Sequence, residues 1–295
     1  MDLKFDISHG ILVVLYFGLF IFSLIKLLIQ KKSVIRVLFH FFLLLGCAFR
    51  VTSFTLFILL NEDVISVDGS FLYLTASLPS FFFLTFYSAA LVLSVDLFQI
   101  STKIKPVNIK TLSLIVLLAN ICLYVMVIIL FVLDFEVFPD EVASLNAPTS
   151  VFQKTIQFII VGIYLIASVS FFLFLYIVYY KNYETYFRDA NVNVEYNQLK
   201  QKSNGVIFFS FVCFFLRSFF TCLTIFYPGA SLWWKDLAYY MGLEFLPLFL
   251  LLFIYLKVAV TTPGLHTFHP YSQLHDENSK LTANSGYIAR VYGGV

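Results

Sequence analysis

Three charged residues sit in apolar surroundings where they must either be paired or do work: Arg50 within Gly46-Cys47-Ala48-Phe49-Arg50-Val51, Arg217 within Phe214-Phe215-Leu216-Arg217-Ser218-Phe219, and Glu244 ahead of Phe245-Leu246-Pro247. A charge near the centre of a bilayer costs about 2.5–3.5 kcal/mol on insertion scales. Two readings of such a trio stand side by side. In the first it is a polar site in a helix bundle, with Glu244 paired to one arginine and the other arginine facing an anionic group, a water cavity or helix-terminal carbonyls. In the second it is a structural ion pair that fixes the register of the helices and holds no ligand. Buried pairs often serve packing alone, and the structural reading carries the greater weight. Asp96 is a fourth charge; lying beside Gln99 and Lys103, it reads as a solvated helix end.

Other chemistry is poorly provided for. No nucleophile and base fall at one depth, so no catalytic residues are assigned and an enzyme is not expected. His9 and His40 lie at opposite ends of their helices, while His266, His269 and His275 follow the last apolar run, so no metal site is expected. Cys47, Cys122, Cys213 and Cys222 all fall inside apolar runs, which suits packing and neither a disulfide framework nor a CxxC metal site. The sequence implies no cofactor and names no ligand.

The elements that must position these residues are membrane helices. The chain is 60% hydrophobic and only 12% charged, with a mean hydropathy of +0.90, and its apolar residues come in blocks of about twenty, the length needed to cross about 30 Å of hydrocarbon. Seven spans are expected, near residues 9–30, 34–60, 71–98, 111–133, 156–180, 205–227 and 237–257. Polar, turn-rich connections separate them, including Asn61-Glu62-Asp63, a stretch from Lys103 to Lys110, one from Asp134 to Lys154 and one from Asn182 to Asn204. Residues 1–258 form the seven-span domain of an all-α bundle, and 259–295 a flexible polar tail. The first apolar stretch lacks a small-residue cleavage site and reads as a retained helix. A net charge of +2 without any long basic run excludes nucleic-acid binding as a main function. The bilayer is the one partner that composition demands.

Orientation follows from the basic residues, which gather on cytosolic connections. One side of the seven-span scheme holds fourteen Lys and Arg residues, among them Lys31, Lys32, Lys103, Lys105, Lys200 and Lys202; the other holds Lys4, Lys154 and Lys235. The N-terminus is therefore expected outside or in an organelle lumen, and the tail in the cytosol. Counting about 1.5 Å per residue from the outer end places Arg50 and Arg217 about 15 Å deep and Glu244 about 10 Å deep, within reach of an arginine side chain. Pro79 and Pro247 fall inside spans three and seven and are expected to kink them.

These blocks resemble, in order and spacing over most of the chain, the tobamovirus multiplication proteins of plants and the related orphan seven-helix lysosomal receptor-like proteins of animals. The resemblance rests on Phe39-His40 with the Arg50 block, and on Leu78-Pro79-Ser80 with Phe83, Tyr87 and the exit Asp96-Leu97-Phe98-Gln99. It continues in the Arg217 block, in Tyr239-Tyr240-Met241 with Glu244-Phe245-Leu246-Pro247, and in His269-Pro270. It implies a receptor-like bundle in a lysosomal, vacuolar or endosomal membrane, the plasma membrane being the other option. Members act as anchors or scaffolds for cytosolic complexes: viral replication proteins in plants, small Rag-type GTPases and nutrient signalling in animals.

Departures from rhodopsin-like receptors count as well. No arginine follows Asp96, span seven has no Asn-Pro-x-x-Tyr, and no outer cysteine pair exists, so direct G-protein coupling is not expected. No lysine enters span seven midway, which excludes a retinal protein. Tyr271-Ser272-Gln273-Leu274 in the tail, with Tyr271 and Leu274 at its key positions, matches a tyrosine-type sorting signal, as does Tyr196-Asn197-Gln198-Leu199; among eighteen tyrosines such matches arise readily by chance. The leading reading is a non-enzymatic scaffold. A transporter or channel using Arg50, Arg217 and Glu244 is the alternative, opposed by the odd number of spans and the lack of an internal repeat, and a ligand-sensing G-protein-coupled receptor comes third.

Overall fold

A computed structural model describes residues 3–29, 34–102, 108–137, 150–177, 194–226 and 233–261. The helices are α1 (Leu3–Ile29), α2 (Val34–Asn61), α3 (Gly69–Thr102), α4 (Ile109–Val137), α5 (Val151–Tyr176), α6 (Val194–Phe226), α7 (Trp233–Leu237) and α8 (Leu246–Thr261), with a π-helical segment (Ala238–Phe245) joining the last two. Seven stretches are long and apolar enough to cross a bilayer: Leu3–Leu28, Val37–Asn61, Gly69–Val95, Thr111–Val137, Val151–Tyr176, Asn204–Phe226 and Trp233–Phe253. The protein is an all-α, seven-span integral membrane bundle. Its compact unit ends at Lys257; the tail beyond Thr261, with Tyr271 and Leu274, lies outside the described residues.

Sequence hydropathy finds the spans but misplaces several ends. α1 starts at Leu3 and not near residue 9, which takes Asp6 into its first turn, where a carboxylate favours the helix dipole; Asn61 Nδ2 at the end of α2 donates to Asp6 Oδ1 at 2.9 Å. α4 runs through Asp134, which the charge pattern of the sequence puts in a connection. Asp134 is instead buried, accepting from Ser150 Oγ and from Gln153 Nε2 at 3.1 Å. Ser150 also caps α5, its Oγ accepting from the Gln153 backbone N–H at 2.9 Å, so α5 starts five residues earlier than the apolar run alone suggests. α6 starts at Val194, taking Tyr196 to Leu199 into a helix and out of the expected loop.

α3 is the axis of the bundle. Half of its span is buried (50%), against 17% for α4, whose Leu114, Ile115, Leu118, Ile121 and Val125 face outward, as apolar side chains can where lipid is the solvent. α1 packs on α2, α2 on α3, and α5 on α6, while α3 touches α4 and α5. The core between them is aromatic: Tyr16, Phe54, Phe81, Phe83, Phe86, Tyr87, Tyr164, Phe171 and Phe214 are all fully buried. α4 is tied to α3 by polar bonds that lipid cannot supply: Tyr124 OH to Phe81 O at 3.1 Å, Asn120 Nδ2 to Ser88 Oγ at 3.1 Å, and a Thr85–Tyr124 hydroxyl pair at 2.7 Å.

Close approach of α2 and α3 depends on Gly46. A Cβ there would lie 2.7 Å from Phe83 Cδ1, and the Phe83 ring is fully buried and stacked on Tyr16 at 6.2 Å, so it cannot step aside. Gly46→Ala is expected to cost about 1–3 kcal/mol by overpacking. Gly18→Ala, at an outward position with nothing within 4 Å of its Cβ, is expected to be neutral or slightly stabilising. Thermal unfolding of both variants in nanodiscs compares them directly.

Candidate functional site

The site is built on two prolines. Pro79 has no N–H for the preceding turn of α3, so a carbonyl of that turn loses its backbone donor. Arg50 reaches that turn, and side chains of other helices bond to carbonyls just past the proline. Arg50 Nη1 on α2 donates to Ala76 O at 2.8 Å, Tyr164 OH on α5 to Ser80 O at 3.3 Å, and Tyr124 OH on α4 to Phe81 O. Ser80 Oγ, one residue past the proline, accepts from Arg217 Nη2 on α6 at 3.0 Å. The α3 turn around Pro79 is thereby where α2, α4, α5 and α6 converge.

Pro247 acts on the seventh span, and here the helix changes register. Over Ala238–Phe245 it is a π-helix, and the Leu246 N–H bonds back to Met241 O, five residues away. In that register the N–H missing at Pro247 leaves Gly242 O without a backbone donor, and Cys213 Sγ of α6 stands 3.8 Å from it as a thiol donor. Tyr16 OH approaches Tyr240 O at 3.3 Å and Tyr87 OH approaches Glu244 O at 3.4 Å, so buried hydroxyls attend the wide turn at three levels with the thiol. A π turn admits one residue more than an α turn, and this extra residue sets the direction in which Glu244 projects.

Glu244 projects inward and is completely buried. Arg50 meets it as a fork, Nε donating to Oε1 at 2.7 Å and Nη2 to Oε2 at 2.6 Å, the side-on geometry that makes arginine–carboxylate pairs strong. Tyr16 OH donates to Oε1 at 2.7 Å. Arg217 Nη2 pairs with Oε2. One carboxylate therefore serves two arginines, and not the single arginine expected from depth. Aromatic faces surround the cations: the Arg50 guanidinium lies 4.8 Å from the Tyr240 ring centroid and 5.7 Å from that of Phe54, and that of Arg217 lies 4.2 Å from Tyr164 and 5.4 Å from Tyr239.

Of the residues singled out in the sequence, the structure gathers Arg50, Arg217, Glu244, Pro79, Pro247, Tyr87 and Tyr240 into this one region. Asp96 and Gln99 lie farther along α3, past its apolar span, and their side chains fall outside the described residues. Sequence reasoning missed Tyr16 and Tyr164. Tyr16 had a signal: it is the only side chain able to hydrogen bond between Gly10 and Phe22, in the middle of a span. Tyr164 is likewise isolated between Phe158 and Ile166. Such lone hydroxyls in apolar helices require an acceptor, and an inward arginine–glutamate cluster supplies the setting.

Among the described residues no group of three His, Cys, Asp or Glu side chains converges as a metal site. Cys47 and Cys213 are buried and unbridged. No family model, curated protein or solved structure matches the chain.

Proposed function

We propose that this protein is a receptor-like membrane scaffold whose buried charges lock the bundle, and that the bundle and tail serve to hold a cytosolic regulatory complex at a lysosomal, vacuolar or endosomal membrane. The observation that supports this reading is the full engagement of Glu244: Arg50 takes both of its oxygens, and Tyr16 and Arg217 share them. A carboxylate that binds and releases a transported ion must exchange partners, whereas this one joins the first, second, sixth and seventh spans at the proline turn of the third. That arrangement suits a platform of fixed shape, performing no chemistry of its own. The resemblance to the plant multiplication proteins and the animal lysosomal proteins supplies the membrane and the partner class, small GTPases and their regulators.

Proximity labelling from a tail-tagged copy tests both parts. Enrichment of endolysosomal or vacuolar membrane proteins together with small-GTPase regulators is expected. Neighbours drawn only from other membranes would overturn the location, and endolysosomal neighbours without any cytosolic complex would overturn the scaffold.

A further inference from the structure

Glu244 carries one negative charge and faces two guanidinium groups, so the buried cluster holds a surplus of one positive charge. The surplus is not shared evenly. Every nitrogen of Arg50 has an acceptor: Nε and Nη2 on Glu244, and Nη1 on Ala76 O. Arg217 is engaged through Nη2 alone, and its Nε and Nη1 are buried without a hydrogen-bond acceptor among the described residues. The Tyr164 and Tyr239 rings attract its charge, yet a ring face is a weak substitute for an oxygen or a halide as acceptor. Buried N–H groups are almost always satisfied, and those of a cation most of all.

A donor stands beside it. Thr221 is one helical turn beyond Arg217 on α6, and its Oγ1 shares a 2.8 Å hydrogen bond with the Tyr239 hydroxyl. Two hydroxyls joined by one bond use one proton between them, which leaves the second to donate. Arg217, Tyr239 and Thr221 thus present positive charge and unspent donors in one neighbourhood, and among the described residues no carboxylate other than Glu244 is bonded to any of them.

We propose that Arg217 forms an anion-binding site in the interior of the bundle, where one small monovalent anion, a halide or a short carboxylate, accepts its unspent N–H groups and cancels the surplus charge. Charge sets the selectivity. One negative charge brings the cluster to neutrality, whereas a divalent anion overshoots it and surrenders far more hydration on leaving water. The site does not depend on the scaffold reading, and neither its presence nor its absence bears on the tail's partners.

The test is the thermal midpoint of the purified protein in nanodiscs, with chloride, formate or sulfate replacing bulky gluconate at constant ionic strength. A ligand that binds only the folded state raises the midpoint as its concentration passes its dissociation constant. A saturable rise of a few degrees with chloride or formate is expected, and none with sulfate; whichever of the two acts at lower concentration identifies the ligand as halide or carboxylate. Arg217→Met removes the surplus charge and should abolish the response. Thr221→Glu supplies the missing anion within the chain and should abolish it too, with a higher midpoint in gluconate than the unaltered protein. A midpoint indifferent to chloride and formate overturns the proposal, as does a response that survives Arg217→Met. If Arg217→Met does not fold, a response of undiminished size in Thr221→Glu overturns it.

Discussion

Glu244→Ala is expected to be the most damaging single substitution in the bundle, costing about 3–5 kcal/mol, because it strands two arginines without their common acceptor. Both guanidinium groups are buried, and neither can reach water by a small shift. Tyr16 OH loses its acceptor in the same step. The midpoint of thermal unfolding in nanodiscs measures the loss, and size-exclusion behaviour separates misfolding from reduced stability. The companion experiment removes every charge at once. A Glu244→Leu, Arg50→Met, Arg217→Met variant leaves no ion unpaired, and replacement of buried ionic groups by apolar ones of similar volume is often neutral or stabilising. It should recover most of what Glu244→Ala loses; if it is no more stable than the single variant, the charges are not acting as a coupled set.

The second large effect is an asymmetry between the two arginines. Arg50→Met deletes two charge-assisted bonds to Glu244 and the donor to Ala76 O in the turn before Pro79, and is expected to cost about 2–4 kcal/mol. Arg217→Met leaves a one-to-one Arg50–Glu244 fork and removes the surplus charge, so its midpoint is expected within about 1 kcal/mol of the unaltered protein. Sequence gives no reason to rank them, since both lie at similar depth in similar runs. Equal losses from the two substitutions would mean that charge balance does not govern this cluster.

How much of this was legible depends on what each residue type can signal. Apolar runs of the right length announce spans, and arginine or glutamate inside them announces an interior, because lipid tolerates neither. Asp134 misleads by the same rule: a carboxylate at the end of an apolar run resembles the start of a loop until Ser150 and Gln153, sixteen and nineteen residues later, are brought against it. The π segment was out of reach. Pro247 announces that one carbonyl loses its donor, but whether that carbonyl belongs to Leu243 or Gly242 is decided by where Cys213, Tyr16 and Tyr87 come to stand, and those are contacts between distant parts of the chain. The sharing of Glu244 by two arginines follows from that register and was hidden with it.

α3 and α6 are longer than any bilayer requires, at 34 and 33 residues. The excess lies past Val95 in α3 and before Asn204 in α6, which successive crossings put on the same face of the bundle. Pro79 to Thr102 and Arg217 back to Val194 are equal separations of 23 residue steps, about 35 Å each at 1.5 Å per residue. Each helix is thus held at the charged cluster and continues beyond its apolar span on that face. On arms of that length a pivot of about 5° carries the tip sideways by about 3 Å, roughly the length of a hydrogen bond. A contact made at the tips therefore depends on the cluster holding both helices to within a few degrees.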